Sequence, residues 1–142
     1  MPMFPAGSPS LFDVAIANPA AGAEWSYTVP DRTRLRLLYG RAFLTTSATA
    51  ASRVPELKIT SSAGILWLTY QGYGPSASQT WPVAIMPNLS FSDPIAPRPQ
   101  DYAIPNDCYL AAGDVIESIT TAIQAGDQWS QIVLRFQHWL EP

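Results

Sequence analysis

The sequence is poor in charged residues and almost without cysteine, histidine and lysine. Of its 142 residues, 13% are charged, whereas about a quarter are charged in most globular chains. The single cysteine, Cys108, excludes an intramolecular disulfide and a zinc site built from cysteines. We expect it to be a small buried hydrophobe. A surface with so few charges must be rich in small polar residues or covered by another protein.

Neither an extended basic cluster nor a long apolar run is present. The formal net charge of −3 gives no electrostatic reason to bind nucleic acid or an anionic membrane. No apolar run approaches membrane-spanning length, and no basic stretch precedes an apolar one at the N-terminus, as it would in a secretory signal. We therefore expect a protein made in a cytoplasm, with no nucleic-acid or membrane partner.

What the sequence does contain is a repeated alternation of apolar and polar residues. Trp25, Tyr27 and Val29 alternate with polar neighbours, and a similar pattern recurs up to residues 129–139. No segment sustains a helical period, and turn residues separate the alternating runs. About eight short strands, with an irregular Pro-rich crossing at 87–106, therefore predict one all-β domain, an antiparallel sandwich or barrel. Gly40 indicates a bulge within one of these strands.

Residues 1–23 differ from the rest of the chain. Four prolines forbid a continuous helix there, and the apolar residues are too many for a solvated tail. We expect an extended N-terminal arm (1–23) with a short strand around 11–16, followed by the β-sandwich domain (24–142). We also predict that the arm crosses to a neighbouring subunit. Its apolar candidates for such an interface are Phe4, Leu11, Phe12, Val14 and Ile16.

The stretch AAGDVIESITTAIQAGDQWS uses Ala-Gly-Asp twice, thirteen positions apart. Each copy flanks the predicted strand 115–121, where the chain must reverse, so we interpret both as turns. In that interpretation Gly supplies a positive φ and Asp caps its own turn. A calcium site at Asp107, Asp114 and Asp127 is the alternative, but no Asp-x-Asp-x-Asp-Gly loop is present. We expect no metal.

Few residues could carry catalysis. His138 lacks a second histidine or a carboxylate motif, and no Gly-x-Ser-x-Gly elbow supports a Ser-His-Asp triad. Glu24, Glu56 and Glu117 could form a glycosidase pair only by facing each other across a groove. We expect no catalytic residues and no cofactor.

The five tryptophans could stack on sugars, but aromatic residues in alternating strands are more often core or interface anchors. Trp25 and Trp67 lie in strong strand patterns, so we expect them in the core. Trp81 and Trp139 lie beside Pro82 and the C-terminal Pro142. We expect these two at a contact surface.

Residues 24–140 resemble the small β-sandwich, jelly-roll-like virion proteins of tailed bacteriophages. The similar features are Trp-x-Tyr-x-Val-Pro, Leu-Thr-Thr-Ser-Ala-Thr followed by Ala-Ser-Arg, and a closing Ala-Gly-Asp-Gln-Trp-Ser strand. The resemblance implies a non-enzymatic capsid cement (decoration) protein on the virion surface. Its partners would be the major capsid protein and copies of itself, as a possible trimer. The alternative is a tail or fibre adhesin that binds host carbohydrate.

Overall fold

The computed structural model describes residues 9–69, 74–87 and 100–140, and none of these ranges contains a helix. The described residues form ten strands, where about eight were predicted. They are β1 (Ser10–Ile16), β2 (Ser26–Thr28), β3 (Thr33–Thr45), β4 (Val54–Ser61), β5 (Gly64–Leu68), β6 (Thr80–Pro87), β7 (Gln100–Ile104), β8 (Tyr109–Leu110), β9 (Val115–Thr121) and β10 (Gln128–Leu140).

The strands form two sheets. Sheet A has the order β1-β10-β3-β6-β7, with β8 also paired to β3, and sheet B has the order β2-β9-β4-β5. The pairs are antiparallel except for β6 and β7, which run parallel. The prediction of an all-β fold is confirmed, and the two sheets are consistent with a β-sandwich.

One apolar core is built from alternate residues of both sheets, as the period of two requires. Tyr27 of sheet B stacks on Phe136 of sheet A, with ring centroids 5.4 Å apart. The indole rings of Trp25 and Trp129 meet edge to face at 6.5 Å. The largest fully buried apolar side chains are Trp129, Tyr102, Phe136, Leu35, Leu37, Leu44, Leu57, Ile59, Ile85, Leu110 and Ile116.

The two tryptophans predicted for the core differ in their positions. Trp25 is 3% exposed, so that prediction is confirmed. Trp67 is 38% exposed, so that prediction is wrong. The reason is that Trp67 lies on β5, which ends the order of sheet B and, among the described strands, pairs with β4 alone. Its indole nitrogen donates a hydrogen bond to the carbonyl of Ala103 in β7, at 3.0 Å.

The strand predicted around 11–16 exists and belongs to the sandwich. β1 pairs along its whole length with β10 of the same chain. Phe12, Val14 and Ile16 point inward and pack against the core. The sandwich therefore begins at β1 and not at residue 24, and these three side chains need no neighbouring subunit to cover them.

The crossing predicted to be irregular over 87–106 contains a strand at its end. β7 pairs in parallel with β6, from Val83 opposite Gln100 to Pro87 opposite Ile104. Tyr102 and Ile104 are buried. The intervening residues 88–99 lie outside the described ranges. The strand is short and is flanked by Pro99 and Pro105. The sequence pattern there therefore indicated an irregular segment and not a strand.

The bulge expected at Gly40 lies just before it. Arg135 of β10 faces Tyr39 while the next residue, Phe136, faces Leu37, so Leu38 is the extra residue in β3. The bulge moves Tyr39 to the outer face of sheet A, away from the side that Leu37 occupies. Gly40 itself is buried, and a Cβ there would approach Leu134 Cδ2 to 2.7 Å. A side chain at this position would therefore require Leu134 to shift.

Candidate interaction surfaces

The two Gly-Asp repeats form similar turns, as predicted. The Asp114 carboxylate accepts a hydrogen bond from the amide of Ala111 at 2.8 Å, and Asp127 accepts the equivalent bond from Gln124 at 2.8 Å. Each aspartate side chain thus closes its own turn by accepting a hydrogen bond from the backbone amide three residues earlier. Gly113 has a φ of 87°, whereas the φ of Gly126 is not positive. The conformational argument therefore applies to only the first glycine.

Asp127 has a second role that the sequence did not indicate. It forms an ion pair with Arg53, and both side chains are 0% exposed. Arg53 Nε and Nη2 each lie 2.9 Å from a carboxylate oxygen, and the amide of Ser47 donates to the same carboxylate at 2.8 Å. Burial opposes ionisation, but these donors outweigh it and lower the Asp127 pKa to about 2. The pair connects the 47–53 loop to the second turn.

Two of the three acids considered for glycoside hydrolysis, Glu24 and Glu117, have structural partners. The Glu24 carboxylate accepts hydrogen bonds from the amide of Thr120 at 2.5 Å, from the Ser118 hydroxyl at 2.5 Å and from the Trp129 indole at 3.0 Å. Glu117 forms an ion pair with Lys58. Across the described ranges, no group of three or more His, Cys, Asp or Glu residues could hold a metal ion.

The structure places His138 opposite Ser10, in the pairing of β10 with β1. The Ser10 hydroxyl lies 2.5 Å from His138 Nδ1, and the Phe12 ring lies edge-on to the imidazole at 5.2 Å. Both residues lie in regular extended strands. A serine nucleophile would also need a carboxylate to orient the histidine and donors for an oxyanion, and no described contact supplies either. The pair has the geometry of a cross-strand hydrogen bond.

The side chains predicted for an interface do not form one surface. Leu11 is 64% exposed on the outer face of sheet A, whereas Phe12, Val14 and Ile16 pack on the core. Trp81 is 8% exposed, so it is mainly a buried residue. Trp139 is half-buried and lies 6.0 Å from the ring of Tyr109. Phe4 lies outside the described residues.

A more continuous apolar surface lies on β5. All five residues of β5 are exposed, and Ile65 alone is 61% exposed. β5 is the last strand of sheet B and carries no charged residue. Exposed edge strands are normally protected by lysine, proline or bulges; β5 has a register shift opposite Ile59 and Thr60, but neither a charge nor a proline. We call residues 64–68 the β5 edge; its pattern of five consecutive uncharged residues was the signal available in the sequence.

The outer face of sheet A has different chemistry. Arg135 lies over the Tyr39 ring at 5.3 Å and forms a bidentate ion pair with Asp13. Arg36 lies over the Tyr109 ring at 5.8 Å. We call this the Arg-aromatic face and define it by Arg34, Arg36, Arg41, Arg135, Tyr39, Tyr109 and Trp139.

Comparisons with protein-family models, with curated protein sequences and with solved structures give no match to this chain. The resemblance to phage virion proteins therefore depends on the sequence features alone. Within the three ranges that the structure describes, there is no helix of the length and hydropathy needed to span a membrane.

Proposed function

We propose that the protein is a non-enzymatic structural component of a bacteriophage virion, of the capsid cement type. The observation that carries the proposal is the presence of two chemically distinct exposed surfaces on different sheets. The β5 edge lies on sheet B, and the Arg-aromatic face lies on sheet A. A cement protein has to bind the capsid and often also its own neighbours, which requires at least two contact surfaces.

In this proposal the β5 edge mediates contact between copies of the protein. An unpaired strand edge offers backbone donors and acceptors to another strand, and the apolar side chains of Ile65, Leu66 and Leu68 add contact area. Residues 61–69 contain no charged side chain, so two copies would meet without like-charge repulsion. A symmetric homo-oligomer, such as a trimer, would then form on the particle.

The finer architecture belongs to the same proposal. We infer a jelly-roll-like sandwich, as in the virion proteins that the sequence resembles. The adhesin alternative has less support, because three of the five tryptophans, Trp25, Trp81 and Trp129, are buried. Buried indoles cannot stack on a host carbohydrate.

Location on the particle tests the proposal. An antibody raised against the purified protein should label the heads of phage particles produced with this gene, in a regular array. An electron-microscopy map should show density of the size of this domain at symmetry-related capsid positions. Labelling at the tail tip alone would support the adhesin, and particles without the protein would contradict both.

A further inference from the structure

The positive charges of the chain are concentrated in sheet A. Its six strands contain four arginines and two aspartates, Asp13 in β1 and Asp101 in β7. With His138 counted as neutral, sheet A therefore carries a formal charge of +2, whereas the whole chain carries −3. The remaining residues together carry −5. Such a separation produces a positive surface on an acidic protein, which favours encounter with negative partners.

Two guanidinium groups of this surface, those of Arg36 and Arg135, are held in place. Arg135 is fixed between Asp13 and the Tyr39 ring. Arg36 donates two hydrogen bonds to the carbonyl of Asn106, at 2.7 Å and 3.2 Å, and lies over the Tyr109 ring. Ordering these long side chains before binding removes part of the entropy cost of association.

Among the described residues, no ion pair neutralises Arg36 or Arg41. Asp13 compensates Arg135, but the carbonyl that binds Arg36 carries no net charge. Arg41 is exposed on the same face, opposite Val133 of β10. A partner would have to supply negative groups, and carboxylates match the planar fork of arginine in a bidentate geometry.

We propose that the Arg-aromatic face is a docking surface for an acidic protein surface that presents Asp and Glu carboxylates. Arg, Tyr and Trp are the residues enriched in protein–protein hot spots. A sugar would need open ring faces, but one face of Tyr39 and one of Tyr109 are covered by guanidinium groups. Nucleic acid has a much denser negative charge than an acidic protein surface, so the acidic remainder of the chain repels it more strongly. That the partner is a capsid lattice rests on the proposed function, whereas the chemistry of the surface does not.

An NMR titration tests the proposal. Full-length 15N-labelled protein is titrated with a ten-residue poly-L-glutamate peptide at low ionic strength, and shifts of backbone and arginine Nε–H signals are mapped. Shifts should cluster on the outer positions of β1, β3 and β10 and weaken with added salt. Shifts centred on sheet B, or none at millimolar peptide, would overturn the proposal.

Two matched variants give a quantitative test. Arg41→Gln and Lys58→Gln each remove one positive charge from the outer face of a strand, the first on sheet A and the second on sheet B. Arg41→Gln should weaken the affinity for the peptide about threefold to fivefold, the size of one partly screened charge contact. Lys58→Gln should change it less than twofold. Equal effects would mean that only net charge matters, which contradicts a docking surface.

Two further titrations distinguish the class of partner. Duplex DNA and polygalacturonate, matched in charge concentration, should bind more weakly than the peptide. If either polymer binds this face more tightly than the peptide does, the partner belongs to the class of that polymer and is not an acidic protein. These results are independent of the particle-labelling experiment, so a protein absent from capsids would refute the cement function and leave the chemistry of this face to be decided by the titrations.

Discussion

At the residue scale, the pair formed by Arg53 and Asp127 is the main electrostatic feature of the interior. Neither side chain has solvent exposure. Removing one partner of a buried pair leaves an uncompensated charge. We therefore expect Asp127→Asn to lower the free energy of unfolding by about 3–5 kcal/mol, measured by urea denaturation. The exposed pair of Asp13 and Arg135 provides the control, because solvent screens an exposed pair and Asp13→Asn should therefore lower the stability far less. If the two variants lose similar amounts of unfolding free energy, Arg53 and Asp127 do not form a buried ion pair.

The same pair predicts a pH dependence. The pKa of Asp127 falls from its ordinary value of 3.8 to about 2. A depressed carboxyl pKa contributes stability that is fully present above the unfolded-state pKa and is lost as the pH falls through the folded-state pKa. The contribution should therefore disappear between about pH 4 and pH 2. In a 13C NMR titration of the folded protein, the Asp127 carboxyl should titrate near pH 2. A midpoint near 4 would show that the pair does not hold its charge.

Cys108 provides a second prediction at this scale. Burial, followed by the nearby charges of Asp107 and Asp114, raises the pKa of its thiol to about 11. At pH 8 the thiolate fraction is then about 0.1%, and only the thiolate reacts. We expect a thiol reagent to label Cys108 at least about a hundredfold more slowly in the folded protein than in denaturant. Labelling at equal rates would show that the thiol is accessible and ionised.

At the element scale, the β5 edge and β1 differ in how they are covered. Both are terminal strands of their sheets. β1 places Phe12, Val14 and Ile16 on the core, whereas all five residues of β5 are exposed. A covered edge strand completes the domain, and an uncovered apolar one offers a contact to another chain.

A matched pair of variants tests the β5 edge. Ile65 and Leu11 are exposed to 61% and 64%, respectively, but lie on different sheets. Ile65→Lys should place charges between associating copies and weaken self-association at least about tenfold. Leu11→Lys should leave it nearly unchanged. Sedimentation velocity over a concentration series measures both. If the wild-type protein stays monomeric at all concentrations, or if the two variants have equal effects, the β5 edge is not the contact between copies.

At the scale of the whole molecule, the fold class followed from the sequence, because strand alternation and turn residues are local signals. The turns at Asp114 and Asp127 and the burial of Trp25 were predicted for the same reason. The exposure of Trp67 and the strand nature of 100–104 were not, since they depend on which strand lies at an edge and on a parallel pairing. The partner of Arg53 lies 74 positions away, and one sequence holds no local signal for that distance.

The extent of the domain is itself testable, because β1 contributes to a core that also contains residues near the C-terminus. Phe12 stacks on Phe136 at 5.6 Å, and Phe136 is completely buried. Removing residues 1–17 would expose Phe136 and abolish the burial of three apolar side chains. At about 1 kcal/mol or more for each half-buried side chain, the loss should be about 3 kcal/mol. A chain beginning at Pro9 keeps β1 complete and is the control, and the difference between the two melting temperatures isolates β1. If both chains melt alike, β1 does not contribute to its own core. A stability that rises with protein concentration only when β1 is present would show that the strand is exchanged between subunits.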